Sequence, residues 1–119
     1  MKSLIFGISL LALISCRSGK SLDVEQQHLN TLAQQYVKLG LSIGKYDPDF
    51  VDAYYGPDSL KPDTSKLSTF PKDSLLESVS NLSADLKEIA TSTADSNLRT
   101  RANWMISQLT AFGRRIRIF

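Results

Sequence analysis

One cysteine, Cys16, closes an apolar run that starts right after Met1-Lys2-Ser3. Its thiol is the one strong nucleophile in the chain, and Leu13-Ile14-Ser15 directly precede it. A small residue before the cysteine suits a peptidase pocket that admits only small side chains. Leu13, three positions upstream, supplies the apolar residue that such recognition requires. Lys2 is the positive n-region, and the uncharged stretch 4–14 fits an h-region of roughly 7–15 residues. A spanning helix needs about 20 apolar residues, and Arg17 stops this run well before that.

This arrangement resembles a bacterial lipobox, which implies thioether lipidation of the Cys16 sulfur followed by cleavage before it, the alternative being an ordinary secretory signal with an incidental cysteine. It divides the chain into a signal peptide over 1–15, a polar tether over 16–22 from the lipidated Cys16, and a helical domain over 23–119. Each buried methylene is worth about 0.8 kcal/mol, and two acyl chains already anchor stably. The expected partner is therefore a membrane, through the lipid on Cys16, and the expected location is the bacterial cell envelope. Arg17 rather than Asp after the cysteine favours the outer membrane, by the sorting rule of enteric bacteria. Acylation of Cys16 leaves no thiol for a disulfide, a metal site or a nucleophile.

The other reactive side chains form no catalytic set. Asp47, Asp49 and Asp52 could hold a hard cation, but they lack the Gly and the distal Glu of an EF-hand loop. A capping Asp47, with two acids near a helix N-terminus, accounts for them equally. His28 has no second His or Cys to share a metal. Glu25, Glu77 and Glu88 fall at helix positions expected to face solvent. No GxSxG, GxGxxG or phosphate-cradling Gly loop is present. No catalytic, cofactor-binding or metal residue is therefore expected in this chain. The net charge of +2 gives no global field for nucleic acid.

Two features could form a binding edge. Arg99, Arg101, Arg114, Arg115 and Arg117 make the last part basic, and no acid follows Asp95. They suit anionic headgroups or an acidic protein partner, or simply a solvated face. Tyr54-Tyr55-Gly56-Pro57 places two adjacent tyrosines that cannot both bury on one helix face. The candidate edge is Tyr54, Tyr55, Arg114, Arg115 and Arg117, with an aromatic lock at a helix end as the plainer reading of the tyrosines.

The elements that must position these residues read as all-α. Asp23 and Gln26 have the spacing of a capping box. Leu29, Leu32, Ala33, Tyr36, Val37, Gly40 and Ile43 then mark one helical face ending near Gly44. Asp47-Pro48 predicts a short helix that Gly56-Pro57 stops. The stretch 59–71 lacks a period and reads as a loop. From about Asp73, Leu75, Val79, Leu82, Leu86 and Ile89 form a seam with steps of four and three. A polar break over 91–97 holds Asp95 or Ser96 as the next cap. Leu98, Ala102, Met105, Leu109, Phe112, Ile116 and Phe119 continue the pattern, with Trp104 beside it. Two seamed helices joined by a short turn predict a C-terminal antiparallel hairpin. The last seam runs to Phe119 with no cap or polar tail, so the expectation is an incomplete N-terminal part of a larger domain.

The strings Tyr36-Val37-Lys38-Leu39 and Tyr46-Asp47-Pro48-Asp49-Phe50-Val51-Asp52-Ala53-Tyr54-Tyr55-Gly56-Pro57 resemble the start of a group of large, poorly characterised bacterial proteins. Arg101-Ala102-Asn103-Trp104-Met105-Ile106-Ser107-Gln108-Leu109, then Arg114-Arg115-Ile116-Arg117, is similar to the arginine-punctuated helix that follows there. Such proteins are all-helical and metallopeptidase-like, with His-Glu and Gly-His-His elements far downstream of the part matched here. The resemblance implies a zinc metallopeptidase-like lipoprotein of which this chain is an N-terminal helical fragment, without activity or cofactor of its own. Its missing C-terminal region would then be a partner, and zinc would belong to the full-length parent. The alternative is a complete small lipoprotein acting as a helical binding or assembly module.

Overall fold

Leu29, Leu32, Leu39 and Ile43 lie on one face of a helix and are buried together against two further helices. In the computed structural model, residues 18–65 and 69–119 are described. They form α1 (Ser18–Gly44), a single 3-10 turn (Asp58–Leu60), α2 (Lys72–Ser92) and α3 (Ser96–Ile118). The fold among the described residues is all-α, with no strand.

The core is the set of seams meeting along a common axis. Leu75, Leu82, Leu86 and Ile89 of α2 face Leu98, Ala102, Met105, Leu109 and Ile116 of α3. The expected hairpin is present: Thr93, Ala94 and Asp95 are the whole connection between α2 and α3. The Asp95 carboxylate accepts hydrogen bonds from the backbone N–H groups of Asn97 at 2.7 Å and Leu98 at 3.0 Å, the N-cap expected of this break. Arg99 closes the other side of the turn, donating to the carbonyls of Ala90 and Thr93, the last turn of α2 and the residue after it.

α1 runs parallel to α3. Contacts step along both helices in the same order, from Asn30 with Arg101, through Tyr36 with Trp104, to Gly40 beside Phe112. The α2–α3 turn is latched to the start of α1 by the Thr93 hydroxyl, which donates to the Glu25 carboxylate at 2.6 Å. Glu25, expected to face solvent, is therefore half-buried and bonded.

Two local expectations are corrected. α1 begins at Ser18, so residues 18–22 of the expected tether are helical, and Asp23 lies inside the helix rather than at its cap. Once a helix exists, each added residue gains a hydrogen bond for one more fixed backbone unit, and extension by a turn costs little. Cys16 and the signal segment lie outside the described residues. The short helix expected after Asp47 is also absent: residues 45–57 form turns and an extended crossing. One turn survives, with the Phe50 N–H donating to the Asp47 carbonyl at 3.0 Å. A two-turn helix gains few internal bonds against its nucleation cost. Here Asp47, Phe50 and Tyr54 each find a better partner elsewhere.

Candidate functional site

The acidic cluster, the tyrosine pair and the late arginines gather at one end of the array, where residues 45–71 cross from α1 to α2, whereas Glu25, His28, Arg99 and Arg101 lie towards the other end. Asp47 is 3% exposed. Its carboxylate takes a two-pronged ion pair from Arg115 on α3, through Nε to Oδ2 and through Nη2 to Oδ1 at 3.0 Å. The planar guanidinium matches a carboxylate in this fork arrangement. The hydrogen bond from Arg115 holds the Asp47 carboxyl below the usual carboxylate range. Desolvation opposes this, while the Arg115 charge and the Asp49 backbone N–H support it. Asp47 is thus neither a helix cap nor a cation ligand. Asp49 and Asp52 are exposed; Asp49 supports the pair through its backbone N–H to Asp47 and its charge near Arg115.

Arg115 is correspondingly withdrawn from the expected binding edge. Arg99 and Arg101 also hold structural bonds. Arg114 and Arg117 remain as exposed cations without an ion pair among the described residues. Beside them Ile118 is 77% exposed, and Phe119 packs obliquely on Phe70 with centroids 4.9 Å apart. The Lys72 ammonium caps this end of α3 by donating to the Arg117 carbonyl at 2.8 Å.

The tyrosine pair divides. The Tyr54 hydroxyl donates to the Pro57 carbonyl at 3.1 Å, so its ring lies over Gly56. A Cβ at Gly56 would come within 2.7 Å of the Tyr54 ring. The Tyr-Tyr-Gly-Pro string is therefore a local lock, built on a loop rather than at a helix end. Tyr55 is 96% exposed. Nearby, Phe50 meets Phe112 edge-on at 4.8 Å, Phe112 stacks on Tyr36 at 5.2 Å, and Tyr36 touches Trp104 at 6.0 Å. Burial raises the Tyr36 phenol above its ordinary pKa. Trp104, 56% exposed, ends this ladder on the open side between α1 and α3.

Comparison with known protein families, with curated proteins and with solved structures finds no match to this chain.

The residues present do not fit a zinc centre. His28 is exposed near the start of α1, and no group of three or more His, Cys, Asp or Glu side chains among the described residues could hold a metal ion. Asp47 is spent on Arg115. What sequence reasoning missed is this ion pair and the open groove between α1 and α2. The pair joins positions 68 apart, and neither position carries a local signal for it. The groove was foreshadowed by Ser74, Ser78, Asn81 and Asp85, which repeat on the non-core face of α2.

Proposed function

We propose that the chain is a lipid-anchored protein of the bacterial cell envelope, held at the membrane through Cys16, and that its three helices act as a binding or assembly module without catalysis of their own. The anchor rests on Leu13-Ile14-Ser15-Cys16. No helix among the described residues is long and apolar enough to cross a membrane. The observation that supports a module is the burial of Leu98, Ala102, Met105, Leu109 and Ile116 against the chain's own helices. These five seam positions are covered internally, while Phe119 at the end of the seam stays half exposed beside Ile118, Arg114 and Arg117. Arg114 and Arg117 beside Ile118 suit an acidic protein surface, where guanidinium groups pair carboxylates bidentately.

The alternative is that the helices brace the catalytic part of a larger zinc metallopeptidase-like lipoprotein. Its support is the apolar patch of Ile118 and Phe119, on which a further helical region could seat. Thermal unfolding of residues 17–119 by circular dichroism, with mass from light scattering, separates the two. The module reading predicts a cooperative transition of a monomer. Non-cooperative melting or aggregation contradicts it and favours the brace.

A further inference from the structure

α1 ends beside the start of α2, where the Tyr46 and Phe70 rings meet edge-on at 5.4 Å. Helix ends this close are usually joined by roughly 2–8 residues. Here the chain runs from 45 to 71 before α2 begins. The first part of that excursion is laid across α3 instead of closing a short turn. Asp47 pairs with Arg115, and Phe50 meets Phe112 edge-on at 4.8 Å. From Pro48 to Ser65 no residue is buried, so Asp47 is the buried point of attachment of an otherwise exposed segment. Its other polar bonds are turned inward: the Tyr54 hydroxyl to the Pro57 carbonyl, and Lys61 to Asp58. A segment with so little apolar burial opens at lower cost than the helices beneath it.

We propose that residues 47–60 form an autoinhibitory strap: Asp47 fills Arg115 in place of a carboxylate from an acidic protein partner, which docks when the strap lifts. The proposal rests on the reading of Arg114 and Arg117 as a surface for such a partner, and it names how that surface is regulated. Three observations carry it. First, Arg114, Arg115 and Arg117 share the end of α3, and Arg115 alone of the three is ion-paired among the described residues. The strap thus withholds one cation from a cluster of three. Secondly, Asp47 engages Arg115 through Nε and Nη2 together, the two-pronged geometry by which a guanidinium takes any carboxylate. An incoming Asp or Glu competes for those same donors. Exchange leaves Arg115 paired and returns Asp47 to water, so no buried charge is stranded. Thirdly, the Arg115 side chain is 41% exposed while that of Asp47 is 4% exposed, so a partner can reach the guanidinium from outside before the internal pair has fully parted. The apparent affinity for the partner is then the intrinsic affinity reduced by the fraction of molecules with the strap open.

The test is calorimetric titration of the full chain in uncharged detergent micelles at low ionic strength, with a glutamate heptapeptide as probe. Minor conformations are populated at roughly 0.1–10%, so Asp47→Asn should bind the peptide at least about tenfold more tightly than the native chain. Phe50→Ala loosens the strap without changing charge and should tighten binding at least about twofold. Asp52→Asn is exposed and makes the same change in net charge as Asp47→Asn. Its affinity should stay within about twofold of native, because exposed charges are screened. Adding Arg115→Gln to Asp47→Asn should abolish the gain, since the released donors are then gone. Each variant is titrated at a temperature where its helicity is native. In NMR spectra the peptide should move the Phe50 resonances of the native chain towards their positions in Asp47→Asn. Unchanged affinity in Asp47→Asn, an equal gain from Asp52→Asn, or a gain that survives Arg115→Gln overturns the strap, and native binding of the peptide then leaves the acidic-partner reading standing. Absence of binding in the native chain and in every variant overturns both. Glycerol phosphate, the soluble part of a lipid headgroup, bound more tightly than the peptide would overturn the protein partner.

Discussion

Asp47 is the residue at which charge, burial and topology meet. It ties the crossing loop to α3 through Arg115, and its carboxyl is held below the ordinary value by that pair. A depressed carboxyl stabilises the fold fully above its unfolded pKa, near 3.9, and loses that contribution as pH falls through the lower folded value. The thermal midpoint of the native chain should therefore drop steeply below about pH 4. Asp47→Asn should melt several degrees lower at neutral pH and show a flatter acid limb, so that the two curves converge at low pH. Parallel curves would show that the pair contributes nothing to acid sensitivity. Arg115→Lys should recover little of the native behaviour, because an ammonium cannot reproduce the fork. The surface pair of Lys61 with Asp58, exposed on both sides, should matter far less.

At the scale of elements, stability concentrates in the α2–α3 hairpin. Asp95→Ala removes the cap of α3 and should cost about 1 kcal/mol in urea unfolding, while Asp95→Asn should retain most of it. Leu109→Ala empties a fully buried position facing the other helices and should cost about 2–5 kcal/mol. A loss below that range would mean that α3 is not seated as described. These elements were legible in the sequence because their apolar steps of three and four persist over long windows. The break before α3 was legible because Asp95 combines a polar run with a capping side chain. The crossing loop was not. Asp47-Pro48 and Gly56-Pro57 are sound local signals for a short helix, and three distant or loop contacts outweighed them. Asp47 found Arg115, Phe50 found Phe112, and the Tyr54 hydroxyl found the Pro57 carbonyl. The start of α1 was misplaced for the opposite reason: an exposed helix end extends on weak preferences alone. Of the expected binding edge, Arg114, Arg117 and Tyr55 stay exposed, whereas Arg115 and Tyr54 are taken by internal bonds.

At the scale of the whole molecule, α1 spans 27 residues, roughly 40 Å at 1.5 Å per residue. Its first described residue follows Cys16 by two positions. The crossing loop, the exposed Arg114 and Arg117 and the groove between α1 and α2 lie towards the far end of that helix. The array would work as a short stalk that carries its recognition groups away from the lipid. This geometry depends on acylation, and so does the proposed function. The decisive measurement is the intact mass of the mature full-length chain made in a bacterium, alongside Cys16→Ala. The account predicts cleavage before Cys16, an added diacylglycerol with an N-linked acyl chain, and recovery in the membrane fraction that Cys16→Ala abolishes. An unmodified Cys16 thiol on a mature protein, or a membrane fraction unchanged by Cys16→Ala, would contradict it.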